Sequence, residues 1–187
     1  MTVWISGPTG AGKSTLAESF QRLGYERVGE DLPSDLFRAF ISEPQRYCEA
    51  FQEKIMRSRF ERWREISGAT RVVFDRSLEE DAQVFCRMHR QLGFLDSAQY
   101  EKLDAIARDL LGQMPRPTLI VLLWPEQSVL AERVTEATHP RLIVQNLDLQ
   151  LALYSDWVSR QQHQNLLKVD NSACSVEAVE QLFSGVR

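Results

Sequence analysis

The octapeptide Gly7-Pro8-Thr9-Gly10-Ala11-Gly12-Lys13-Ser14 matches G-x-x-x-x-G-K-[ST] at every defined position. It constrains the fold because the loop works only between a buried strand and the start of a helix. Both flanks are present: Val3-Trp4-Ile5 reads as the strand, and Lys13 to Glu18 as the first turns of the helix. Glycines at 7, 10 and 12 open backbone conformations closed to residues with a Cβ, so that successive N–H groups can converge on phosphate oxygens. The positive end of the helix dipole adds to them. Gly7, Pro8, Thr9, Gly10, Ala11, Gly12, Lys13, Ser14 and the adjacent Thr15 are therefore the expected triphosphate cradle. In it Lys13 reaches the β- and γ-phosphates and the Ser14 hydroxyl ligates Mg²⁺. The plainer alternative is a glycine-rich turn that happens to carry a lysine.

At 187 residues the chain holds one domain, expected over 1–187. A net charge of −4 gives no field that would draw nucleic acid or an anionic membrane surface, so neither is an expected partner. Cys48, Cys86 and Cys174 are odd in number and in no metal-ligand spacing, and read as reduced, buried thiols of a cytoplasmic protein. The first strand begins at once, leaving no room for a leader, and the longest apolar run, Leu119 to Trp124, is too short to span a bilayer.

Short apolar runs alternate with longer periodic segments, the pattern of an α/β domain with a mostly parallel sheet. Strands are predicted at Val3–Ser6, Arg71–Phe74, Thr118–Trp124 and Leu166–Val169, with a weaker one at Arg27-Val28. Helices are predicted near 13–23, 48–67, 80–92, 97–112, 126–136, 146–162 and 176–184. This predicts a three-layer fold of the P-loop NTPase type, its five-stranded sheet flanked by helices.

Four places carry further chemistry. In the helix over 48–67, Gln52 and Arg59 share a row with Met56 and Trp63, which suits either a pocket wall that hydrogen-bonds a flat polar ring or the solvent-facing edge of the apolar stripe. Arg57, Arg62 and Arg64, interleaved with Glu61 and Glu65, read as a solvated face. Asp75-Arg76-Ser77 ends an apolar strand at the sheet edge where ligands bind, placing Asp75 to hold Mg²⁺ and Arg76 to grip phosphate, or else forming a strand-end ion pair. The loop Gly29-Glu30-Asp31-Leu32-Pro33 offers a carboxylate as general base, or a plain acidic turn. Beyond the strand at 118–124, Arg133 and Arg141 stand where a lid over the phosphates is expected, at about 135–145, to stabilise charge on the transferred group or else to hold a plain surface role, with His139 read as a solvated histidine.

Taken together these residues resemble the deoxynucleoside kinase family, over nearly the whole chain. The resemblance rests on Gly7–Ser14, on Glu30, on Glu43-Pro44-Gln45-Arg46-Tyr47 leading into Phe51-Gln52 and Arg59, and on Asp75-Arg76-Ser77 with Asp81. It implies that Glu30 is the base acting on a nucleoside 5′-hydroxyl, that Gln52 contacts the nucleobase and that Arg59 and Asp81 line its pocket. Phe51 and Phe85 become stacking walls or core residues, and Asp75-Arg76-Ser77 serves magnesium and phosphate. Three positions depart from the family pattern. Asp31 stands where proline usually follows the base, so both carboxylates are candidates; Ile41 falls where a tyrosine commonly meets the sugar; and the segment from Glu136 to Leu142 carries few of the usual lid charges.

The resemblance implies an ATP-dependent, Mg²⁺-assisted kinase making deoxynucleoside 5′-monophosphates, with a lean to purines and homodimers built through long helices. Lys13, Arg76 and Arg133 then stabilise the transferring phosphoryl group, and Arg141 the donor nucleotide. Two readings compete: a kinase of a nucleoside monophosphate or another small hydroxyl compound, and a nucleotide-binding regulatory subunit of low activity.

Overall fold

The computed structural model describes residues 1–29, 32–161 and 165–172. Its centre is β1 (Thr2–Ser6), whose apolar residues are almost wholly buried because helices cover both faces of the sheet. Parallel partners flank it: β3 (Val72–Asp75), in register Ile5 to Asp75, and β4 (Leu119–Leu123), in register Ser6 to Leu122. β2 (Glu26–Val28) and β5 (Leu166–Val169) complete the all-parallel order β2-β3-β1-β4-β5. This is the three-layer P-loop NTPase fold, with the strands' C-terminal ends on one edge of the sheet.

Alternation along β1 divides its side chains between two layers. Val3 and Ile5 pack with Leu16, Ala17 and Phe20 of α1 (Lys13–Arg22), while Trp4 packs with Phe74 and with Leu153, Tyr154 and Trp157 of α9 (Leu147–Arg160). A second core lies among helices: Phe51, Ile55, Met56 and Phe60 of α3 (Pro44–Glu65) meet Leu103, Ala107 and Leu110 of α6 (Ser97–Gly112). Between them runs Leu78 to Gln91, made of α4 (Leu78–Glu80), a π-helical segment (Asp81–Cys86) and α5 (Arg87–Gln91).

Several predicted elements shift. Asp75 is the last residue of β3 rather than the residue after it. The long helix begins at Pro44, where a proline at the first helical position gives up no backbone bond. The segment over 80–92 starts at Leu78, capped by Ser77, and widens to a π-helix. α2 (Ser34–Ser42) was not predicted, although Leu36, Phe37, Phe40 and Ile41 supply the stripe that packs it on α3. The helix near 126–136 is shorter, α7 (Gln127–Arg133), and the lid contains a short α8 (Arg141–Gln145). Cys48 and Cys86 are buried, as expected for thiols: burial pushes Cys48 up to about 12 and Cys86 well above its usual range. Cys174 and the helix predicted over 176–184 lie outside the described residues. Among the described residues no helix is long and apolar enough to cross a membrane.

Candidate active site

The loop between β1 and α1 curls as its sequence demands. Gly7 takes φ 142°, and a Cβ there would run into the Leu123 carbonyl of β4. Gly12 takes φ 88° as the N-cap of α1, a conformation that side chains with a Cβ rarely adopt. With no side-chain cap and no acid in the first turn, the start of α1 keeps its N–H groups and dipole for an anion. Lys13 is buried, its Nζ donating to the Pro8 carbonyl at 2.8 Å, while Ser14 and Thr15 are exposed. The loop is braced from outside as well: Thr9 N donates to Gln150 Oε1 of α9 at 2.7 Å, and Asn171 Nδ2 to the Ala11 carbonyl at 2.8 Å.

Next to the loop, the end of β3 sends its two charged residues apart. Asp75, 1% exposed, pairs through Oδ2 with Arg27 of β2 at 2.6 Å, and its Oδ1 is buried without a hydrogen-bond partner among the described residues. Arg76 sits at φ 71°, an unusual backbone state of the kind that gathers at functional sites. Its guanidinium lies 4.4 Å from the Phe85 ring centroid, and Nη1 donates to the Tyr154 hydroxyl at 2.8 Å.

Beneath it stands the fully buried carboxylate of Glu80, which sequence reasoning missed. Oε2 accepts from Ser6 Oγ at 2.8 Å, from the Ser77 N–H at 2.8 Å and from Ser77 Oγ at 3.2 Å. Oε1 accepts from the Tyr154 hydroxyl at 2.6 Å and from the Gly7 N–H at 3.3 Å. One carboxylate thereby ties the start of the phosphate loop, the Asp75-Arg76-Ser77 turn and α9 together. The Ser77-x-x-Glu80 capping box was readable, but not its distant donors.

A cavity of about 240 Å³ opens beside this network, lined by Thr9 of the loop, Arg76 and Asp81, and by Gln52, Phe51 and His89. Gln52 and Arg59 are both buried, which decides against the solvent-edge reading. Gln52 lines the cavity. Arg59 instead clamps the structure behind it: Nε donates to Asp81 Oδ2 at 2.9 Å, and Nη1 to the carbonyls of Asp75 and Arg76, both at 2.9 Å. Phe51 stacks flat on Phe40, centroids 4.7 Å apart, and Phe85 lies under Arg76, so both predicted aromatic walls line the cavity. Asp81, Phe85, Met88 and His89 reach it from one helical face running through the π-helical segment.

The lid closes the cavity with apolar side chains more than with charge, through Leu142 and Ile143, with His139 beside them. Arg133 donates to the Gly10 carbonyl at 3.3 Å and to those of Asn171 and Ser172 at 3.0 Å, tying α7 to the phosphate loop. Arg141 is not brought to the loop; it is 74% exposed and pairs with Glu136 at 3.7 Å. Arg57 and Arg62 form exposed pairs within α3, with Glu53 and Glu65. Glu30 and Asp31, the predicted bases, lie outside the described residues. Besides Glu80, sequence reasoning missed Tyr154, Gln150, Asn171 and His89; only His89, four and eight residues beyond Phe85 and Asp81, stood in a readable helical row.

Residues 3–184 match the family model described as deoxynucleoside kinase. The chain is 34% identical to a deoxyadenosine kinase of Dictyostelium discoideum over 130 residues, 67% of this chain and 53% of that protein. It is 28% identical to a deoxyguanosine kinase of Lactobacillus acidophilus over 151 residues, 75% of this chain and 64% of that one. The chain thus spans between about half and two thirds of the length of these curated relatives. A deoxyadenosine kinase from M. mycoides, solved with bound dATP, superposes with a TM-score of 0.82 at 18% identity, over 99% of this chain and 100% of that one.

Proposed function

This chain belongs to the deoxynucleoside kinase family, and we propose that it transfers the terminal phosphoryl group of ATP to the 5′-hydroxyl of a deoxynucleoside, purines foremost. The observation that carries the reading is the continuity of one cavity from Thr9 of the phosphate loop, past Arg76, to the buried amide of Gln52. Donor and acceptor are thereby held in one enclosure. A nucleoside monophosphate as acceptor would call for several cations around its phosphate, and Arg76 is the only arginine or lysine among the described residues lining the cavity.

In this reading Lys13 and the N–H groups from Gly10 to Ser14 hold the donor phosphates. Arg76 supplies its guanidinium to charge developing on the transferred group, and Arg133 acts beside it through the loop. Gln52 grips the base edge between Phe51 and Phe85. Asp81 is held by Arg59 at the cavity wall, and Arg141 reaches the donor only when the lid moves. Glu30 takes the proton of the 5′-hydroxyl as the new bond forms. The residues present fit Mg²⁺: the orphaned Asp75 Oδ1 and the exposed Ser14 hydroxyl are hard oxygen donors at the loop. The ion would supply charge neutralisation between the donor oxygens. Residues 1–187 act as one domain, working in the cytoplasm as a homodimer through the long helices.

The test is one panel: purified protein, Mg-ATP, and each deoxynucleoside, ribonucleoside and monophosphate in turn, with products read by mass. Deoxynucleoside 5′-monophosphates are expected, purines fastest. Products from monophosphates alone, or none from any acceptor, would overturn the reading. Glu30→Gln is expected to lower turnover sharply while ATP binding persists; survival of activity would move the base to Asp31 or another group.

A further inference from the structure

We propose that His89 is a base-contacting residue, its imidazole Nε2–H donating to a ring nitrogen of a purine base; the inference rests on the deoxynucleoside kinase reading above and sharpens how its substrate is selected. His89 is 4% exposed and lines the cavity between Phe40 and Phe94, at ring-centroid distances of 5.1 and 5.9 Å. Its Nδ1 lies 3.2 Å from Gln52 Nε2, and its Nε2 has no hydrogen-bond partner among the described residues. A ring nitrogen without a protein partner, on a residue of the cavity wall, is a group that a ligand can satisfy.

The direction of each bond follows from a short chain of donors. The Cys86 thiol lies 3.8 Å from Gln52 Oε1 and donates to it, since burial keeps that thiol protonated. The carboxamide oxygen therefore faces Cys86, and its amino group faces His89. An amide N–H only donates, so His89 Nδ1 accepts, and the neutral ring carries its proton on Nε2. Burial also pushes the imidazole down to about 3, keeping it neutral across the working range of pH.

Gln52 retains one N–H and one oxygen lone pair beyond these bonds. With His89 Nε2–H, the wall offers two donors and an acceptor. A purine complements that set: in adenine the amino group donates and the flanking N1 and N7 accept, and in guanine N1–H donates while O6 and N7 accept. Cytosine has an acceptor on one side of its amino group and a C–H on the other, so one donor would stay unmet. A site whose buried polar groups are left unpaired by the wrong base discriminates strongly.

The experiment compares deoxyadenosine with its 1-deaza and 7-deaza analogues, in the wild type and in His89→Leu, by steady-state phosphorylation and by calorimetric binding. The wild type is expected to lose about tenfold or more in kcat/KM for the analogue lacking the nitrogen that His89 contacts. In His89→Leu that analogue and deoxyadenosine are expected to agree within about twofold, the other deaza penalty being unchanged. Identical deaza penalties in both proteins, or none in the wild type, would overturn the inference. A second readout does not depend on the variant folding: ¹⁵N spectra of wild-type His89 should show the Nε2-protonated tautomer and a shift of that N–H signal on saturation with deoxyadenosine. The Nδ1-protonated tautomer would sink the proposal. If the wild type binds and phosphorylates no deoxynucleoside, the kinase reading fails and takes this one with it; if it phosphorylates them with the deaza pattern unmoved, only the role of His89 falls.

Discussion

Tyr154 donates its hydroxyl to Glu80 at 2.6 Å while accepting from Arg76 at 2.8 Å, so a residue of α9 aims the guanidinium at the end of β3. Arg76 holds an unfavourable backbone state, φ 71°, and its Nη1 is 4.0 Å from Glu80 Oε1, beyond hydrogen-bond reach. The tyrosine hydroxyl is the link between the two.

Tyr154→Phe removes that link without emptying the core, because the ring still packs edge-on against Phe85, Trp124 and Trp157. The expected result is a fall of roughly tenfold in kcat, smaller than the loss from deleting a direct transition-state donor, with ATP affinity nearly unchanged. The stability cost should be about 1 kcal/mol. Steady-state kinetics and urea unfolding check both. A kcat within twofold of wild type would mean that Arg76 is aimed by other contacts.

Arg59 and Asp81 form the most deeply buried ion pair along α3, with side chains 2% and 3% exposed. Asp81→Ala leaves the guanidinium buried with its carbonyl partners and removes the Asp81 carboxylate from it. A loss of about 3 kcal/mol in urea unfolding is expected, together with weaker nucleoside binding, since Asp81 also lines the cavity. Arg59→Lys should not rescue function, because one ammonium cannot reproduce a planar fork that reaches Asp81 and two backbone carbonyls.

The sequence carried much of this site because its strongest signals are local. The phosphate loop brings its own strand and helix, and β3 and β4 are near-continuous apolar runs that only a doubly covered strand tolerates. Gln52 and Arg59 were placed on one face by spacing, but spacing could not say that Gln52 faces the cavity while Arg59 turns behind it. Glu80 was hidden for a related reason. Its local pattern announces a helix cap, whereas its partners Gly7 and Tyr154 lie 73 and 74 residues away and meet it only through the order of the sheet. Arg27 escaped likewise: on a strand of three residues, its pairing with Asp75 follows from β2 lying beside β3. The π-helical turn at Asp81–Cys86 has no sequence signature, and it sets which side chains reach the cavity.

Gly12→Ala separates the donor half of the site from the acceptor half. A Cβ at Gly12 would lie 2.6 Å from Asn171 Nδ2, in a backbone state, φ 88°, that alanine adopts at a cost of about 1–2 kcal/mol. Asn171 must move, releasing its bond to the Ala11 carbonyl and loosening the loop. Calorimetry should show ATP affinity falling by about tenfold or more while deoxynucleoside affinity holds within about twofold. Adding Asn171→Ala should relieve the steric part and leave the backbone part. An equal loss on both ligands would mean that the loop and the cavity fold as one unit.

Stability should fall in acid through His89. Its folded-state value is about 3 against an ordinary 6.5, because the ring is buried neutral beside Gln52. Above pH 6.5 neither folded nor unfolded chain protonates this imidazole, and it adds no pH dependence. Between 6.5 and 3 the unfolded chain takes up a proton that the folded chain refuses, so unfolding gains about 1.4 kcal/mol for each unit of pH lost. Below 3 both states are protonated and the slope vanishes. Asp156 and Asp170, whose carboxyls are held low by Arg87 and Ser172, act in the same direction, since the unfolded chain binds their protons at a higher pH. Glu53, held low by Arg57 and Lys102, does the same; in the unfolded chain these carboxyls take up protons around the ordinary values of 3.8 and 4.5, so the interval from pH 6.5 to about 5.5 isolates the histidine. Urea unfolding across that interval should show the slope in the wild type and lose most of it in His89→Leu. A slope that survives the substitution would place the titrating group elsewhere.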